Sequence, residues 1–188
     1  MNRREALSAV GLLLGGTIIG SEVFLTGCSS SPEKVNKLFT IKDVALMDEI
    51  AETIIPETST PGAKAAKTGA FMAVMIQDCY KPDEQQAFLE GLKTIDELAN
   101  KKYTSNFIDL DKEQRTTLLK EVDTELKNYD KSKNGDKPHY FRLMKELTML
   151  GYFTSEEGGT KQLTYVEVPG RYDACIDYKK GDPVYLNP

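Results

Sequence analysis

Thr40-Ile41-Lys42-Asp43-Val44-Ala45-Leu46-Met47-Asp48-Glu49-Ile50-Ala51-Glu52-Thr53-Ile54-Ile55-Pro56 sets the helical pattern of this chain. Thr40 offers a hydroxyl to an orphan N–H and Asp43 brings a carboxylate to the positive end of a helix dipole, so a helix begins here. Ile41, Val44, Ala45, Ile50, Ala51 and Ile54 recur at helical spacing until Pro56 stops the run, which predicts a helix over about 41–55. Toward the C-terminus, Pro56, Pro61, Gly62 and Gly69 make residues 56–69 a loop, with a helical turn near Ala63–Ala66. Phe71, Val74, Met75 and Cys79 mark a second helix on one apolar face. Pro82-Asp83-Glu84 opens a third, with Phe88, Leu92, Ile95 and Ala99 in one stripe. A fourth starts at Asp111, where Gln114 completes a capping-box pattern, and buries Leu118, Leu119, Val122 and Leu126.

The polar run from Asn128 to Pro138 predicts an exposed loop. A fifth helix covers about 139–150, with Phe141, Met144, Leu147 and Thr148 on one side and Gly151 as its stop. After Gly151 the character changes. Gly158-Gly159, Pro169-Gly170 and Gly181-Asp182-Pro183 punctuate the chain, the first pair read as a simple turn, and Gln162–Val168 is the one segment with good strand propensity. The expected fold is mainly α: a bundle of about five helices with an irregular C-terminal arm containing at most a short β-segment.

On the other side of Thr40, the N-terminus reads as a targeting segment. Arg3-Arg4 precede an apolar stretch from Ala9 to Gly20 that is too short for a bilayer core and weakened as a helix by Gly11, Gly15, Gly16 and Gly20. Leu25-Thr26-Gly27-Cys28 comes next. The paired arginines resemble the signal of twin-arginine translocase substrates, which are exported already folded. The Leu-Thr-Gly-Cys run resembles a lipobox, whose cysteine becomes a lipidated N-terminus after cleavage. On this reading residues 1–27 are a signal peptide, 28–38 a lipidated tether including Ser29-Ser30-Ser31-Pro32-Glu33, and 39–188 the folded domain. The protein is then held at the periplasmic face of a bacterial membrane by acyl chains on Cys28.

The chain has 188 residues and a formal net charge of -5. That is long enough for one domain with a sizeable core, and the acidic balance is wrong for nucleic acid, which requires clustered Lys and Arg. Catalytic and cofactor signals are sparse. His139 is the single histidine and sits at a helix start, where capping or solvation is its usual role. No Gly-x-Gly-x-x-Gly follows a strand, and there is no Cys-x-x-Cys-His. The expectation is therefore no catalytic, cofactor-binding or metal residue in this chain. Cys79 and Cys175 are the thiols left after Cys28. Export places them in an oxidising compartment, where an intramolecular disulfide would stabilise by about 4–5 kcal/mol on the chain-entropy account. Two buried free thiols, or bridges to a partner, are the alternatives.

Two blocks of sequence carry a family resemblance. Thr53-Ile54-Ile55-Pro56-Glu57-Thr58-Ser59-Thr60-Pro61-Gly62-Ala63-Lys64-Ala65-Ala66, with Phe71 and Asp78-Cys79-Tyr80 behind it, is the first. Gly151-Tyr152-Phe153-Thr154-Ser155-Glu156, with Tyr165, Pro169-Gly170, Tyr172 and Cys175, is the second. Together, over roughly 40–185, they resemble the gluconate 2-dehydrogenase subunit 3 family. The resemblance implies a small non-catalytic subunit of a membrane-bound sugar or polyol dehydrogenase. FAD and the hydride chemistry would belong to a large subunit of the glucose-methanol-choline type, carried folded through the twin-arginine pore by this chain. The lipobox departs from the basic family pattern and makes a cytochrome subunit less necessary for attachment. A free-standing envelope lipoprotein with a binding or structural role is the alternative. As contact surfaces for the large subunit, the 56–62 motif with Pro56, Pro61 and Gly62 and the Gly151–Glu156 turn are balanced against a purely loop-shaping role, and the aromatics Tyr152, Phe153, Tyr165 and Tyr172 are favoured.

Overall fold

The computed structural model describes residues 33–135, 137–168, 170–171, 175–182 and 184–185; Arg3, Arg4, Cys28 and Tyr172 lie outside the described residues. From Lys34 onward the chain forms one compact unit. It is mainly helical, with α1 at Ile41–Ile54, α2 at Thr68–Cys79, α3 at Pro82–Tyr103, α4 at Lys112–Lys127 and α5 at Tyr140–Phe153. Short 3-10 turns occupy Phe107–Asp109 and Lys131–Asn134, and a π-helical turn spans Glu157–Gln162. Among the described residues no strand forms; two isolated bridges, Lys34 with Thr40 and Thr164 with Tyr185, are the extent of β-pairing.

The helix starts are explained by capping chemistry. Thr40 and Asp43 bond reciprocally at the head of α1, and Asp111 and Gln114 do the same for α4. Pro82 takes the first position of α3, where a missing N–H costs nothing, and Glu84 reaches back to the Lys81 N–H at 3.1 Å. At α5 the cap is His139, whose Nδ1 accepts from the Phe141 N–H at 3.2 Å. This histidine is a cap, as its position suggests, but a buried one rather than a solvated one.

α1 and α5 are the two central helices: α1 packs on α2, α4 and α5, and α5 also meets α2 and α3. The core around them is built from Phe39, Met47, Ile50, Met72, Ile76, Phe88, Ile95, Phe107, Leu118, Met144, Leu147 and Tyr152, all at most 2 % exposed. Phe39 and Phe88 meet edge to face at 6.0 Å, which fastens the segment before α1 to α3. Each such side chain, fully withdrawn from water, contributes about 1.5–3 kcal/mol before the entropy of ordering is counted.

Four expectations shift. α1 buries Leu46, Met47, Ile50 and Ala51 and leaves Ile41, in its first turn, half exposed. α2 turns Thr68, Gly69, Met72, Ala73 and Ile76 inward, so Val74 and Cys79 face out. Gly151 does not stop α5; it lies inside the helix, and the close approach of Phe71 from α2, whose ring would stand 2.6 Å from a Cβ, accounts for glycine there. The segment with strand propensity reduces to the single bridge at Thr164, since among the described residues no neighbouring strand exists to complete a ladder.

Candidate partner-docking site

The two motif blocks, far apart in sequence, come together at one corner of the domain. The first forms the loop between α1 and α2, and its shape is set by a carboxylate on α1. Glu52 accepts from the Glu57 N–H at 2.8 Å with one oxygen and from the Lys64 N–H at 2.9 Å with the other, closing both ends of the loop on one side chain. Gly62 is buried under this clamp. A Cβ there would run into the Glu52 carboxylate and stand 2.6 Å from the Glu57 nitrogen, so the close approach requires glycine. Ala63 N–H to Ile55 O at 3.0 Å and Thr58 N–H to Thr60 O at 3.0 Å complete the loop.

Two further acids of α1 anchor the start of α2 and the far end of the loop. Asp48 accepts from the Gly69 N–H at 2.7 Å and so caps α2, whose own N-cap residue, Lys67, is left-handed at φ 53 and offers no side-chain cap. Burial raises the Asp48 pKa, against the lowering effect of that N–H and of Lys64. Glu49 pairs with both Lys64 and Arg115; burial alone would raise its pKa, but these two cations bring it below the ordinary carboxylate value. Arg115 also donates to Ile108 O at 2.6 Å, which ties α4 into the same network.

The second block supplies the other wall. Tyr152 is 1 % exposed, and its hydroxyl donates to Pro61 O at 2.6 Å, the direct link between the motif blocks. Tyr152 is thus not the surface anchor its residue type suggests: its polar end is used on the Pro61 carbonyl and its ring packs edge to face on Phe153 at 5.1 Å. Phe153 is half-buried. Ser155 donates to Tyr152 O and receives the Gly158 N–H at 3.1 Å, which starts the π-helical turn. Gly158 and Gly159 are buried there rather than forming a plain turn, because a Cβ at Gly158 would collide with the Tyr152 carbonyl. π-helical turns of this kind concentrate at functional sites. Thr60 donates to Gln162 Oε1 and so bonds the loop to the π-turn.

The tip Pro56-Glu57-Thr58-Ser59 remains in solvent, a rigid protrusion on a hydrogen-bonded base. Of the loop residues named from sequence, Pro56 is exposed, Pro61 half-buried and Gly62 buried. Beside the tip lies a cleft of about 500 Å³ lined by Thr60, Lys161, Gln162, Tyr165, Asp182 and Val184. Its far wall is the C-terminal arm, whose base is closed where Thr164 N–H donates to Val184 O at 2.8 Å beside the Thr164–Tyr185 bridge. Tyr165 is 50 % exposed at that base. Cys79 and Cys175 are both exposed and unbonded in this structure, and a bridge from Thr164 to Tyr185 closes the base of the arm.

Sequence reasoning missed Glu52, Asp48 and Gln162. A signal for Glu52 was present: it lies in the last turn of α1, where the helix dipole disfavours a carboxylate and no basic residue accompanies it. Such a misplaced acid needs donors from elsewhere. No group of three or more His, Cys, Asp or Glu side chains able to hold a metal ion occurs among the described residues, and no described helix is long and apolar enough to cross a membrane.

No curated protein and no solved structure matches this chain. The sequence profile of gluconate 2-dehydrogenase subunit 3 does, over residues 42–170, which spans α1 through α5, the π-turn and the start of the arm. The chain belongs to the gluconate 2-dehydrogenase subunit 3 family, accessory subunits that associate with the catalytic subunit of a dehydrogenase.

Proposed function

We propose that this protein is a non-catalytic subunit that carries an FAD-dependent sugar or polyol dehydrogenase of the glucose-methanol-choline type to the periplasm and keeps it at the membrane. The observation that carries the reading is the meeting of the two family motif blocks through Tyr152 and Pro61. Their buried residues are used to fix backbone, and the exposed tip at Pro56–Ser59 is presented rigidly beside the cleft. A preorganised protrusion lowers the ordering cost of association, as expected of a docking element.

Export and anchoring rest on Arg3-Arg4 and Cys28. FAD belongs to the partner in this reading, and loading it before export requires a route for folded proteins. The twin-arginine translocase is therefore a transient partner, the acyl chains on Cys28 supply attachment, and a cytochrome subunit is an optional third component.

The test is co-purification of the tagged full chain from membranes. A flavoprotein at comparable amounts is the expected result; the small chain emerging alone would sink the proposal. Changing Arg3 and Arg4 to Lys should strand both proteins in the cytoplasm, and normal periplasmic dehydrogenase activity in that variant contradicts the carrier role. Dehydrogenase activity in the isolated small chain contradicts the non-catalytic one.

A further inference from the structure

We infer that the segment Cys175-Ile176-Asp177-Tyr178-Lys179 is a strand donated to a sheet edge of the dehydrogenase catalytic subunit, an inference that rests on the accessory-subunit reading. The segment alternates strictly, with Ile176 and Tyr178 on one side and Cys175, Asp177 and Lys179 on the other. Ile and Tyr are among the residues best suited to a pleated surface. Yet it is neither helix nor strand, and among the described residues none of the backbone groups from Cys175 to Tyr178 takes part in a hydrogen bond. Ile176 stays 57 % and Tyr178 65 % exposed.

The segment is nonetheless presented by a defined turn rather than left loose. On its C-terminal side Lys179 N–H donates to Asp182 Oδ2 at 2.7 Å and Asp182 N–H returns to Lys179 O at 3.0 Å, a tight turn completed by Gly181 at φ +104. Beyond the turn, the bridge from Thr164 to Tyr185 closes the loop on the wall of the cleft beside the Pro56–Ser59 tip. The alternating segment is therefore continuous with the candidate docking corner.

Three occupants are possible for an alternating, unpaired segment: a lipid surface, a second copy of this chain, or a different protein. The arm from Thr164 to Tyr185 carries Glu167, Asp173, Asp177 and Asp182 against Arg171, Lys179 and Lys180, so an anionic bilayer gains no net attraction. Strand addition needs an existing sheet edge. Among the described residues this chain has none, so the helical domain of a second copy has no edge to offer. The partner that the family assigns is a dehydrogenase catalytic subunit, and that is the occupant the observations favour. Residues 175–179 lie beyond the stretch 42–170 that matches the family, so this contact belongs to this chain's own arm.

Hydrogen exchange on the complex isolated from membranes, compared with the free full-length chain, tests it. Every second amide across 176–179 should exchange at least about tenfold more slowly in the complex, because an added edge strand bonds to its neighbour through alternate residues. The full-length double variant Ile176→Asp/Tyr178→Asp should recover at least about tenfold less flavoprotein, with helical circular dichroism unchanged. Unaltered exchange at 176–179 in a complex with its full flavin content overturns the strand while leaving the accessory role standing. Equal protection in a concentrated sample of the free chain also overturns it, by showing that two arms pair with each other. If no flavoprotein accompanies the wild-type chain, the reading beneath it fails and the strand has no recipient.

Discussion

The helical domain and the arm use the same apolar residue types to opposite effect. Ile50, Ile95, Val122 and Tyr152 are at most 2 % exposed in the first, whereas Val168, Ile176, Tyr178 and Val184 are 57 % to 79 % exposed in the second. The helices surround their apolar stripes with partners inside the chain; among the described residues of the arm, a bridge closes its base and a turn spans Lys179 to Asp182. A region that buries its own apolar surface specifies its own conformation, and a region that does not leaves that task to whatever it meets. The contrast therefore separates residues that keep this protein folded from residues whose apolar surface the fold leaves exposed.

Truncating one side chain in each region puts that division most directly at risk. Phe88→Ala in the core should cost about 4 kcal/mol, a large part of the roughly 5–15 kcal/mol typical of a domain. Ile176→Ala in the arm should stay within about 0.5 kcal/mol. Urea midpoints at constant slope measure both. A loss above about 1 kcal/mol for Ile176→Ala would show that the arm packs on the helices in solution, and the division would be wrong.

Next in size is Gly158→Ala. The added methyl collides with the Tyr152 carbonyl, backbone that cannot swing away as a side-chain tip would, so the π-turn must shift as a unit. A cost of about 3 kcal/mol is expected. This position marks the seam between the two regions, and exchange at Thr160 to Thr164 should accelerate with it. If the variant is as stable as the parent, the π-turn is not the rigid root of the arm.

The two regions also differ in how far they could be read from sequence. Helix starts were legible because capping is local: Thr40 with Asp43, Asp111 with Gln114, and Pro82 each act within one turn. The stripe Phe88, Leu92, Ile95 and Ala99 on α3 was legible for the same reason. The candidate docking corner was not, since it is made by pairs distant in sequence: Tyr152 with Pro61, Thr60 with Gln162, Asp48 with Gly69. Residue type also misled. Tyr152 reads as an amphipathic anchor, and only the fold reveals that its hydroxyl is already taken. Gly158-Gly159 reads as a turn until the Tyr152 carbonyl is seen to occupy the place of a Cβ.

Tyr152→Phe tests the link between the motif blocks with little change of volume. It leaves Pro61 O without its donor, at a cost of about 1.5 kcal/mol. Protection of the Glu57 and Lys64 amides, both held by Glu52, should fall as the loop loses that side support. Flavoprotein recovery should weaken as well, because a less ordered tip has more conformational entropy to lose on docking. Unchanged amide protection would mean that Glu52 alone holds the loop.

The smallest expected effect is a pH dependence confined to the helical domain. His139 is buried against Tyr129, 4.9 Å away edge-on, and Tyr140, stacked at 4.4 Å, with the Glu125 carboxylate 3.7 Å from Nε2 as the charged group facing it. Burial lowers its pKa below the ordinary histidine value, and Glu125 only partly opposes this. The unfolded chain therefore takes up the proton first as pH falls. Stability is full above about pH 6.5, declines through the window down to the lower folded value, and is flat for this group beneath it. Protonation also places a hydrogen on Nδ1, which then cannot accept from Phe141 N–H, so the decline should include the cap's contribution of about 1 kcal/mol. His139→Asn keeps a capping acceptor with no proton to gain and should flatten the urea midpoint across that window, whereas Tyr178→Ala in the arm should leave the slope as it is. A slope that persists in His139→Asn cannot come from Asp48, whose raised pKa stabilises the fold as pH falls and so acts in the opposite direction.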